Sequence, residues 1–437
     1  MLANRVFTSL GGLQTDWFLP HIALKCVNQQ ECFEQEKNKP NKKGSEKMTE
    51  DTRIPRDKLN DYSDEWAANR RQFIKAKTGA DLKHTGQYSI DPKILPGNVE
   101  NFIGILQMPV GLAGPLKING ESAQGEFYIP LATTEGTLVA SYSRGMRVIN
   151  ECGGVKTTVV EQYMQRAPAF IFEDARQARE FGQWVKDNFA GIKAAAESTT
   201  SVGKLIHIQQ WSVAKTLYLR FNFTTGDAAG QNMVGKATLM ACEWIRKQLP
   251  GVKYLLSGNM DTDKKHSHLN MLHTRGKRVI AEIVIKKEVL KAIMKVDTRL
   301  LAKATVLANT GAMMAGAAYN GPHSANGIAS IFIATGQDEA NVVESHAGLL
   351  SSELLDNDDI YMAVTLPSLI CATYGGGTGL PTQRECLEIM DCYGTGKANK
   401  FAEIVAATVL AGDISLGCAV IAGDWVSSHD EMGRNRT

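Results

Sequence analysis

The sequence predicts a fold in which α-helices and β-strands are mixed, with at least one long buried helix. Residues 217–223 (LYLRFNF) have the composition of a buried strand, and residues 232–249 after them repeat apolar side chains at helical spacing. Residues 401–426 are rich in Ala, Gly and aliphatic side chains, which indicates a buried helix or a pair of helices. Because no G-x-G-x-x-G sequence joins a strand to a helix, a doubly wound dinucleotide-binding fold is not indicated.

The remaining predicted elements are shorter. Residues 64–77 are typical of a short helix. Soon after Glu135 the apolar side chains recur at helical spacing, so this carboxylate stands immediately before a helix. Residues 278–285 and 328–335 are two further strand candidates, and Asp338 follows the second of them closely.

The composition is that of an ordinary globular protein. A chain of 437 residues is long enough for two or three domains and for a deep site shielded from water. Hydrophobic residues make up 43% and charged residues 22%, and the formal net charge of +2 gives no electrostatic argument for binding nucleic acid. The composition therefore favours a small-molecule partner over nucleic acid.

The cysteines and the N-terminal segment both favour a cytoplasmic protein. The 8 cysteines lack the paired short spacings of a zinc site and any secretory context, so we expect no bound metal and a reducing compartment. Arg5, Asp16 and Lys25 interrupt the apolar start, which favours a partly ordered tail over a membrane anchor or a targeting peptide. Residues 29–56 have few apolar side chains, so residues 1–54 are predicted to be a mostly disordered tail and linker.

Two glycine-containing segments are candidates for holding a ligand. The sequence GDAAGQN (residues 226–232) joins the predicted strand to the predicted helix, and the free N–H groups at a helix N-terminus are suited to a phosphate or a pyrophosphate. A tight turn without a ligand explains the same residues equally well. Residues 375–379 (GGGTG) either allow the backbone to approach a ligand closely or form a flexible loop.

A charged loop is a candidate for catalytic chemistry. Residues 257–265 (SGNMDTDKK) combine two lysines with two aspartates. A solvated charge run is the usual explanation, but a lysine held beside carboxylates could donate to a carbonyl oxygen that gains negative charge during hydride attack. Glu135 and Asp338 are the candidate partners, although either carboxylate could simply cap a helix or end a strand. His429 is either a general acid or an ordinary surface residue.

These segments occur together, in the same order, in a known family. The motifs are ENFIG (residues 100–104) with PVGLAGPL, PLATTEGTLVAS (130–141), GDAAGQNM, SGNMDTDKK, GQD (336–338), TYGGGTGLPTQRECL and the C-terminal His429. Together they resemble the 3-hydroxy-3-methylglutaryl-coenzyme A (HMG-CoA) reductase family over nearly the whole chain after the linker. The short tail after His429 resembles the class found in eukaryotes and archaea.

The resemblance implies an α+β architecture with an inserted ferredoxin-like domain, and a homodimer or homotetramer with active sites at the subunit interface. It also implies a soluble, cytoplasmic form without a membrane anchor. The implied division of the chain is a small helical N-terminal domain (55–103), a large substrate-binding domain around a central helix (104–167 and 267–437), a nicotinamide-cofactor domain (168–256) and a catalytic-lysine loop (257–266).

The activity implied by the resemblance is reduction of (S)-HMG-CoA to mevalonate and coenzyme A by two successive hydrides from NADPH. Glu135, Lys264 and Asp338 would form one hydrogen-bonded network, and His429 would protonate the departing thiolate. The positions matching the hydroxymethylglutaryl site are Arg166, Ser257, Asp263 and Lys265; those near coenzyme A are Ser141, Arg144 and His323; Asn326 would support the network. The positions assigned to the cofactor are Asp227, Ala229, Gly230, Gln231, Asn232, Lys204, Gly375, Gly376 and Thr378.

Two departures from the family pattern keep alternatives open. Leu307 stands where eukaryotic relatives have a lysine in the substrate pocket, so a reductase of another acyl-CoA is an alternative. Ser201 stands where an arginine would bind the 2′-phosphate, which leaves Lys204 as a point charge and makes NADH use possible. Two other hypotheses are a non-catalytic homologue that binds coenzyme A or a protein partner, and an acyltransferase with Cys371 or Cys386 as nucleophile.

Overall fold

The structure is a computed structural model that describes residues 53–423. The predicted tail and linker, apart from residues 53 and 54, lie outside the described residues, and so does the candidate general acid His429. The first helix shows how local sequence sets an element. It begins where the Ser63 side chain accepts the N–H of Trp66 and ends at Gly79 in the left-handed conformation.

Helices are distributed along the described chain. They are α1 (Asp64–Thr78), α2 (Leu138–Glu151), α3 (Ala175–Asp187), α4 (Phe189–Glu197), α5 (Gln231–Gln248), α6 (His268–Leu272), α7 (Lys287–Met294), α8 (Thr298–Met314), α9 (Ser324–Thr335), α10 (Val342–Ser345), α11 (Pro381–Ile389) and α12 (Ala398–Ala422). Short 3₁₀ helices lie at Pro92–Ile94, Glu339–Asn341 and Gly376–Gly379.

The strands form antiparallel sheets. They are β1 (Val110–Asn119), β2 (Gln124–Ala132), β3 (Lys156–Arg166), β4 (Ala169–Ile171), β5 (Lys204–Val213), β6 (Thr216–Thr224), β7 (Lys253–Leu255), β8 (Gly276–Ile285), β9 (Leu349–Leu354) and β10 (Ile360–Leu369). β1 pairs with β2, and the other strands form one sheet in the order β7-β4-β6-β3-β8-β10-β9, with β5 paired to β6. The mixed α and β class predicted from the sequence is confirmed.

Most of the predicted elements are confirmed, and one is wrong. The strand predicted at residues 328–335 is the C-terminal part of α9, in which Ile331 and Phe332 are fully buried. A short apolar run fits a buried strand and a buried helix equally well, and burial overrides the preference of isoleucine for strands. α9 ends at Gly336 in the left-handed conformation, so Asp338 follows a helix and not a strand.

The predicted buried stretch near the C-terminus is a single helix, α12, through residue 422. By length and composition α12 could cross a membrane, since an 18-residue stretch of it has a mean hydropathy of 2.1, but 78% of that stretch is buried inside the protein. Apolar side chains from α2, α9, β8 and β10 surround it in the largest hydrophobic cluster. α12 is therefore a core helix of this fold.

Two further hydrophobic clusters contain no residue of α12. One lies between strands β4, β5 and β6 and helices α3, α4 and α5, and the other is formed around Ala67, Leu95 and Phe102. The three clusters overlap the predicted large, cofactor and N-terminal domains, whose boundaries remain predictions. The predicted catalytic-lysine loop connects β7 to α6.

Candidate active site

The loop with the two lysines is anchored by a buried aspartate. Asp261 is fully buried, and its Oδ2 accepts hydrogen bonds from Arg166 Nη1 (2.9 Å) and Ser257 Oγ (3.0 Å). Its Oδ1 is buried and has no partner among the described residues. The structure thus joins Arg166, the last residue of β3, to Ser257 through an aspartate that sequence reasoning did not select.

Lys264 and Asp338, far apart in the sequence, meet at the other end of this loop. Lys264 Nζ lies 2.8 Å from Asp338 Oδ2. The hydrogen bond to Asp338 raises the pKa of Lys264, and burial opposes this effect. The ammonium group therefore stays protonated at neutral pH. The side chains of Lys264 and Asp338 are 45% and 37% exposed, which leaves the ion pair accessible to a ligand.

A fully buried arginine ties the loop to the rest of the site. Arg275 donates to Asp263 Oδ1 (2.7 Å), Glu344 Oε1 (2.9 Å) and the backbone oxygen of Gln165 (3.0 Å). Glu344 Oε1 also accepts the backbone N–H of Lys264 at 2.7 Å. Burial raises the pKa of Glu344 to about 7, and the charge and hydrogen bond of Arg275 oppose this effect.

Sequence reasoning missed Asp261, Arg275 and Glu344. Asp261 lies inside the quoted charged loop, but its spacing does not distinguish it from a solvated carboxylate. Glu344 follows two valines in NVVESH, and Arg275 directly precedes a strand. Neither sequence context distinguishes a buried charge from an exposed one, and charged side chains are mostly exposed.

The remaining charged residues of the loop are placed differently. Asp263 lies between two arginines, since its Oδ2 is 3.7 Å from Arg166 Nη2 while its Oδ1 accepts from Arg275. Lys265 is exposed, and its Nζ donates to the backbone oxygen of Asp263 at 2.9 Å. Lys265 is therefore the loop's solvent-facing cation beside Lys264.

Glu135 forms no hydrogen bond or ion pair with Lys264 in the described part of the chain. Its backbone N–H donates to Thr133 Oγ1 (3.0 Å), and the residue is exposed just before α2. Over residues 53–423 its carboxylate forms no hydrogen bond or ion pair. The predicted network is therefore present here as the pair of Lys264 and Asp338, and the role of Glu135 stays a prediction.

The turn before α5 reaches the charged loop through one side chain. Gly230 has a φ of 84° and lies so close to Thr225 that a Cβ atom would clash. The next residue, Gln231, donates from Nε2 to Asn341 Oδ1 (2.8 Å) and to Asp263 Oδ1 (3.3 Å). Gln231 therefore links this turn to both segments that carry Lys264 and Asp338.

The carboxylate of Asp227, which the resemblance assigns to the cofactor, accepts hydrogen bonds from the backbone of another segment. It accepts the N–H of Gly396 (2.7 Å) and the N–H of Ala398 (3.1 Å), the first residue of α12. The backbone oxygen of Asp227 accepts the N–H of Thr373 at 3.1 Å. Ala229 packs against the apolar cluster of this region, and Asn232 is exposed.

The segment TTSVGKL lies beside this turn. Thr200 Oγ1 accepts the N–H groups of Val202 (3.2 Å) and Gly203 (2.9 Å) and lies 3.0 Å from Met233 Sδ at the start of α5. Lys204 Nζ is 3.6 Å from Glu197 Oε2, so its charge is already partly compensated. Ser201 is exposed in the same loop. The structure thus brings together two segments that were assigned separately to the cofactor.

The glycine-rich segment packs against the GQD motif. A Cβ atom on Gly336 would clash with the backbone oxygen of Gly377, so both positions require glycine for this approach. Thr378 is buried and donates from Oγ1 to the backbone oxygen of Gly375 at 2.7 Å. Gly376 has a φ of 58° and open space where its Cβ would lie.

The residues assigned to coenzyme A lie on α2 and at the start of α9, facing α12. Ser141 Oγ is 3.0 Å from Ser415 Oγ, and Arg144 Nη2 donates to the backbone oxygen of Ser415 at 3.0 Å. Asn326 Nδ2 donates to His323 Nδ1 at 2.9 Å, so the proton of the neutral ring is on Nε2. Burial lowers the pKa of His323 to about 4, which keeps the ring neutral.

Two alternatives can be compared with the geometry. Burial raises the pKa of Cys371 to about 11 and that of Cys386 in the same direction, so both remain thiols and are poor nucleophiles. The acyltransferase interpretation is therefore disfavoured. The other alternative, a reductase of another acyl-CoA, depends on Leu307, which is 64% exposed on α8.

Comparisons with known proteins agree with this arrangement. A family model described as hydroxymethylglutaryl-coenzyme A reductase matches residues 67–434. The chain is 46% identical over 374 residues to the 3-hydroxy-3-methylglutaryl-coenzyme A reductase of Pyrococcus abyssi, over 84% of this chain and 92% of the relative. It is also 46% identical over 373 residues to the enzyme of that name from Methanocaldococcus jannaschii, with the same two coverages.

A solved structure supports the fold. The class II 3-hydroxy-3-methylglutaryl-CoA reductase from Streptococcus pneumoniae, bound to NADPH in open conformations, superposes with a TM-score of 0.62 at 21% identity, covering 81% of this chain and 97% of that one. The resemblance in the motifs, the family match and the archaeal relatives agree over most of the chain. The chain belongs to the hydroxymethylglutaryl-coenzyme A reductase family.

Proposed function

We propose that this chain reduces HMG-CoA to mevalonate and coenzyme A, a step of the mevalonate pathway to isoprenoids, with two hydrides from NADPH. Family membership supports the activity. The single geometric observation that carries the chemistry is the accessible ion pair of Lys264 with Asp338 at 2.8 Å. Lys264 would donate to the carbonyl oxygen as hydride attack makes it negative, where a preorganised donor has its largest effect.

The acyl group would lie along the charged loop. Lys265 is a solvent-facing cation that would attract the free carboxylate of the substrate. Arg166 and Ser257 are oriented by the buried Asp261, and together with Asp263 they would hold the hydroxymethylglutaryl group. Holding the acyl group at several points fixes the thioester carbon relative to Lys264.

Two groups would supply protons. Glu135 would donate in the aldehyde step, and His429 would protonate the thiolate of coenzyme A, a role suited to a side chain with an unperturbed pKa near 6.5. Ser141, Arg144 and His323 would lie along coenzyme A, and Asn326 would fix the ring of His323.

The start of α5 fits a dinucleotide. The N–H groups of its first turn, at Gly230, Gln231 and Asn232, are suited to a pyrophosphate, and the adjoining loop offers Lys204. Bound NADPH supplies the hydride. Asp227 and Ala229 would set the shape of the turn, and the segment with Gly375, Gly376 and Thr378 would allow close approach of the ligand to the backbone.

The site would be completed by a second subunit in a homodimer or homotetramer. Glu135 is exposed, and over residues 53–423 it forms no hydrogen bond or ion pair with Lys264, so its carboxylate is available to a site shared between subunits. The ferredoxin-like character of residues 168–256, the other domain boundaries, and a soluble cytoplasmic protein that binds no metal, nucleic acid or membrane belong to the same proposal.

A reductase of a different acyl-CoA is the second candidate, because Leu307 removes one cation from the expected substrate pocket. Turnover of HMG-CoA and a panel of other acyl-CoA thioesters, followed by the absorbance of NADPH and of NADH, separates the two. HMG-CoA should have the highest kcat/KM of the panel. Preference for an acyl group without the free carboxylate would favour the other candidate, and binding of coenzyme A without turnover of any thioester would identify a non-catalytic homologue.

A further inference from the structure

One short segment contacts Lys264 at both of its ends. Asp338, after α9, pairs with the side-chain Nζ of Lys264, whereas Glu344, on α10, accepts the backbone N–H of the same residue at 2.7 Å. Asp338 and Glu344 are joined by the 3₁₀ helix Glu339–Asn341 and the first turn of α10. The ammonium group and the backbone of Lys264 are therefore located by a single piece of chain.

The backbone of Lys264 needs such support. Its φ is 54°, in the left-handed region that residues with a side chain seldom adopt and that persists when the surroundings impose it. The contact from Glu344 is made by a side chain with 0% exposure, so water does not compete for the bond. Loss of this contact would let the backbone relax, and we expect that to change the direction in which the lysine side chain leaves the loop.

Arg275 holds the carboxylate in place from the other side. Its Nε donates to Glu344 Oε1 at 2.9 Å, and its Nη2 donates to Asp263, the residue directly before Lys264. Glu344 Oε2 is buried without a partner among the described residues. Within residues 53–423, the polar contacts of this carboxylate are thus all made through Oε1, to the loop and to the arginine that orders it.

We propose that Glu344 is a positioning residue for Lys264. Its ionised carboxylate, paired with Arg275, holds the backbone of Lys264 in the left-handed conformation. The inference rests on the proposed function, because it assigns Lys264 the donor role at the reacting oxygen. The side chain of Glu344 is fully buried, so its effect would reach the reaction through Lys264.

The ionisation of this carboxylate falls near neutral pH. The groups that face it are Arg275 and the N–H of Lys264, which favour the charged form, and Asp263, which disfavours it; burial is the largest effect and raises its pKa to about 7. As pH falls through that value the carboxylate gains a proton and accepts more weakly from both donors. We therefore expect kcat of the wild type to fall below about pH 7.

The test compares Glu344→Gln with the wild type and with Glu403→Gln. Glu403 is a matched control, since it is also fully buried and accepts backbone N–H groups, from Ser122 and Ala123, away from Lys264. We expect Glu344→Gln to lower kcat about 10²-fold with a nearly unchanged KM, because a shift of about 1 Å at a positioned group has that effect. Its kcat should also lose the fall below pH 7, which Glu403→Gln should keep.

The outcomes separate two failures. No turnover by the wild type would overturn the proposed function. Turnover by the wild type, with an unchanged kcat and pH profile in Glu344→Gln, would overturn the positioning role alone. If the Gln variant does not fold, Glu344→Asp provides the test. Its shorter side chain should lower kcat, and kcat should still fall below pH 7. A wild-type kcat in this variant would also overturn the positioning role.

Discussion

The loop that carries Lys264 and the turn that precedes α5 are held by different interactions. In the loop, carboxylates that are wholly or partly buried face arginines: Asp261 faces Arg166, and Asp263 faces Arg275. In the turn, the Asp227 carboxylate accepts backbone N–H groups and the shape depends on glycine. The loop is therefore held by pairs of charged side chains, whereas the turn is held by one carboxylate on backbone N–H groups and by its glycines.

This difference predicts different tolerance to substitution. Removing one partner of a buried ion pair leaves the other charge unpaired, which costs about 3–5 kcal/mol. Replacing a side chain that caps backbone N–H groups costs about 0.5–2 kcal/mol. Changes in the loop should therefore abolish activity or folding, and changes around the turn should alter binding by smaller factors.

The largest expected effect is on turnover in Lys264→Ala. Loss of one preorganised donor lowers the rate about 10²–10³-fold, and loss of a charged donor should lower it at least as much. Coenzyme A binding, measured by calorimetry, should be largely retained, because Ser141 and Arg144 lie elsewhere, on α2. A variant that kept more than about a tenth of the wild-type rate would remove Lys264 from the mechanism.

The next effect concerns stability in Arg275→Met. Glu344 and Asp263 both lose a partner, and the free energy of unfolding should fall by about 3–5 kcal/mol in denaturant titrations. The matched control is Arg299→Met, since Arg299 pairs with Asp358 on the surface, and this change should have little effect. Equal losses in the two variants would show that the buried ion pairs of the loop contribute no more to stability than an exposed ion pair does.

A smaller effect is expected for the cofactor in Ser201→Arg. A charged contact with a phosphate contributes about 1.5–3 kcal/mol, roughly 10- to 150-fold in affinity. The wild type should use NADPH with reduced preference and show measurable NADH activity, because Lys204 is partly compensated by Glu197. Ser201→Arg should restore the preference for NADPH, mainly through a lower KM. A wild-type preference above about 10³ that the change leaves unaltered would mean that the phosphate is bound elsewhere.

The smallest effect is expected for Asp227→Ala. Loss of the hydrogen bonds that its carboxylate accepts should reduce stability by about 0.5–2 kcal/mol and raise KM for NADPH a few-fold, because the turn shifts relative to α12. Asp174→Ala is the control, since Asp174 caps α3 by accepting the N–H groups of Arg176 and Gln177. The control should lose similar stability with an unchanged KM. A raised KM in both variants would assign the effect to general stability.

The sequence predicted the elements with a clear period and the pairing of Lys264 with Asp338, which came from the family resemblance and not from spacing. It did not predict Arg275 or Glu344, because one buried charge leaves no periodic pattern and its partners are set by tertiary packing. The prediction of a strand before Asp338 was wrong for a related reason. A short segment that is buried on all sides is apolar throughout, so its sequence shows neither the helical nor the strand periodicity. The contact of Asp227 with α12 joins segments far apart in the chain, which no local pattern encodes.

The contacts of Gln231 predict a coupling between the binding of the two ligands. Its side-chain amide donates to Asp263 in the charged loop (residues 257–265) and to Asn341 near Asp338, while its backbone belongs to the first turn of α5. A dinucleotide that moves this turn would change the energy of the charged loop, and we expect binding of the two ligands to be cooperative. Cooperativity in binding is reciprocal, so the factor by which NADPH alters the Kd of HMG-CoA must equal the factor by which HMG-CoA alters the Kd of NADPH. Calorimetric titrations in both orders, with the non-reducing NADP⁺ as the nucleotide, should give one factor for the wild type and a factor near one for Gln231→Ala. A factor that survives this change would mean that the two ligands communicate by another route.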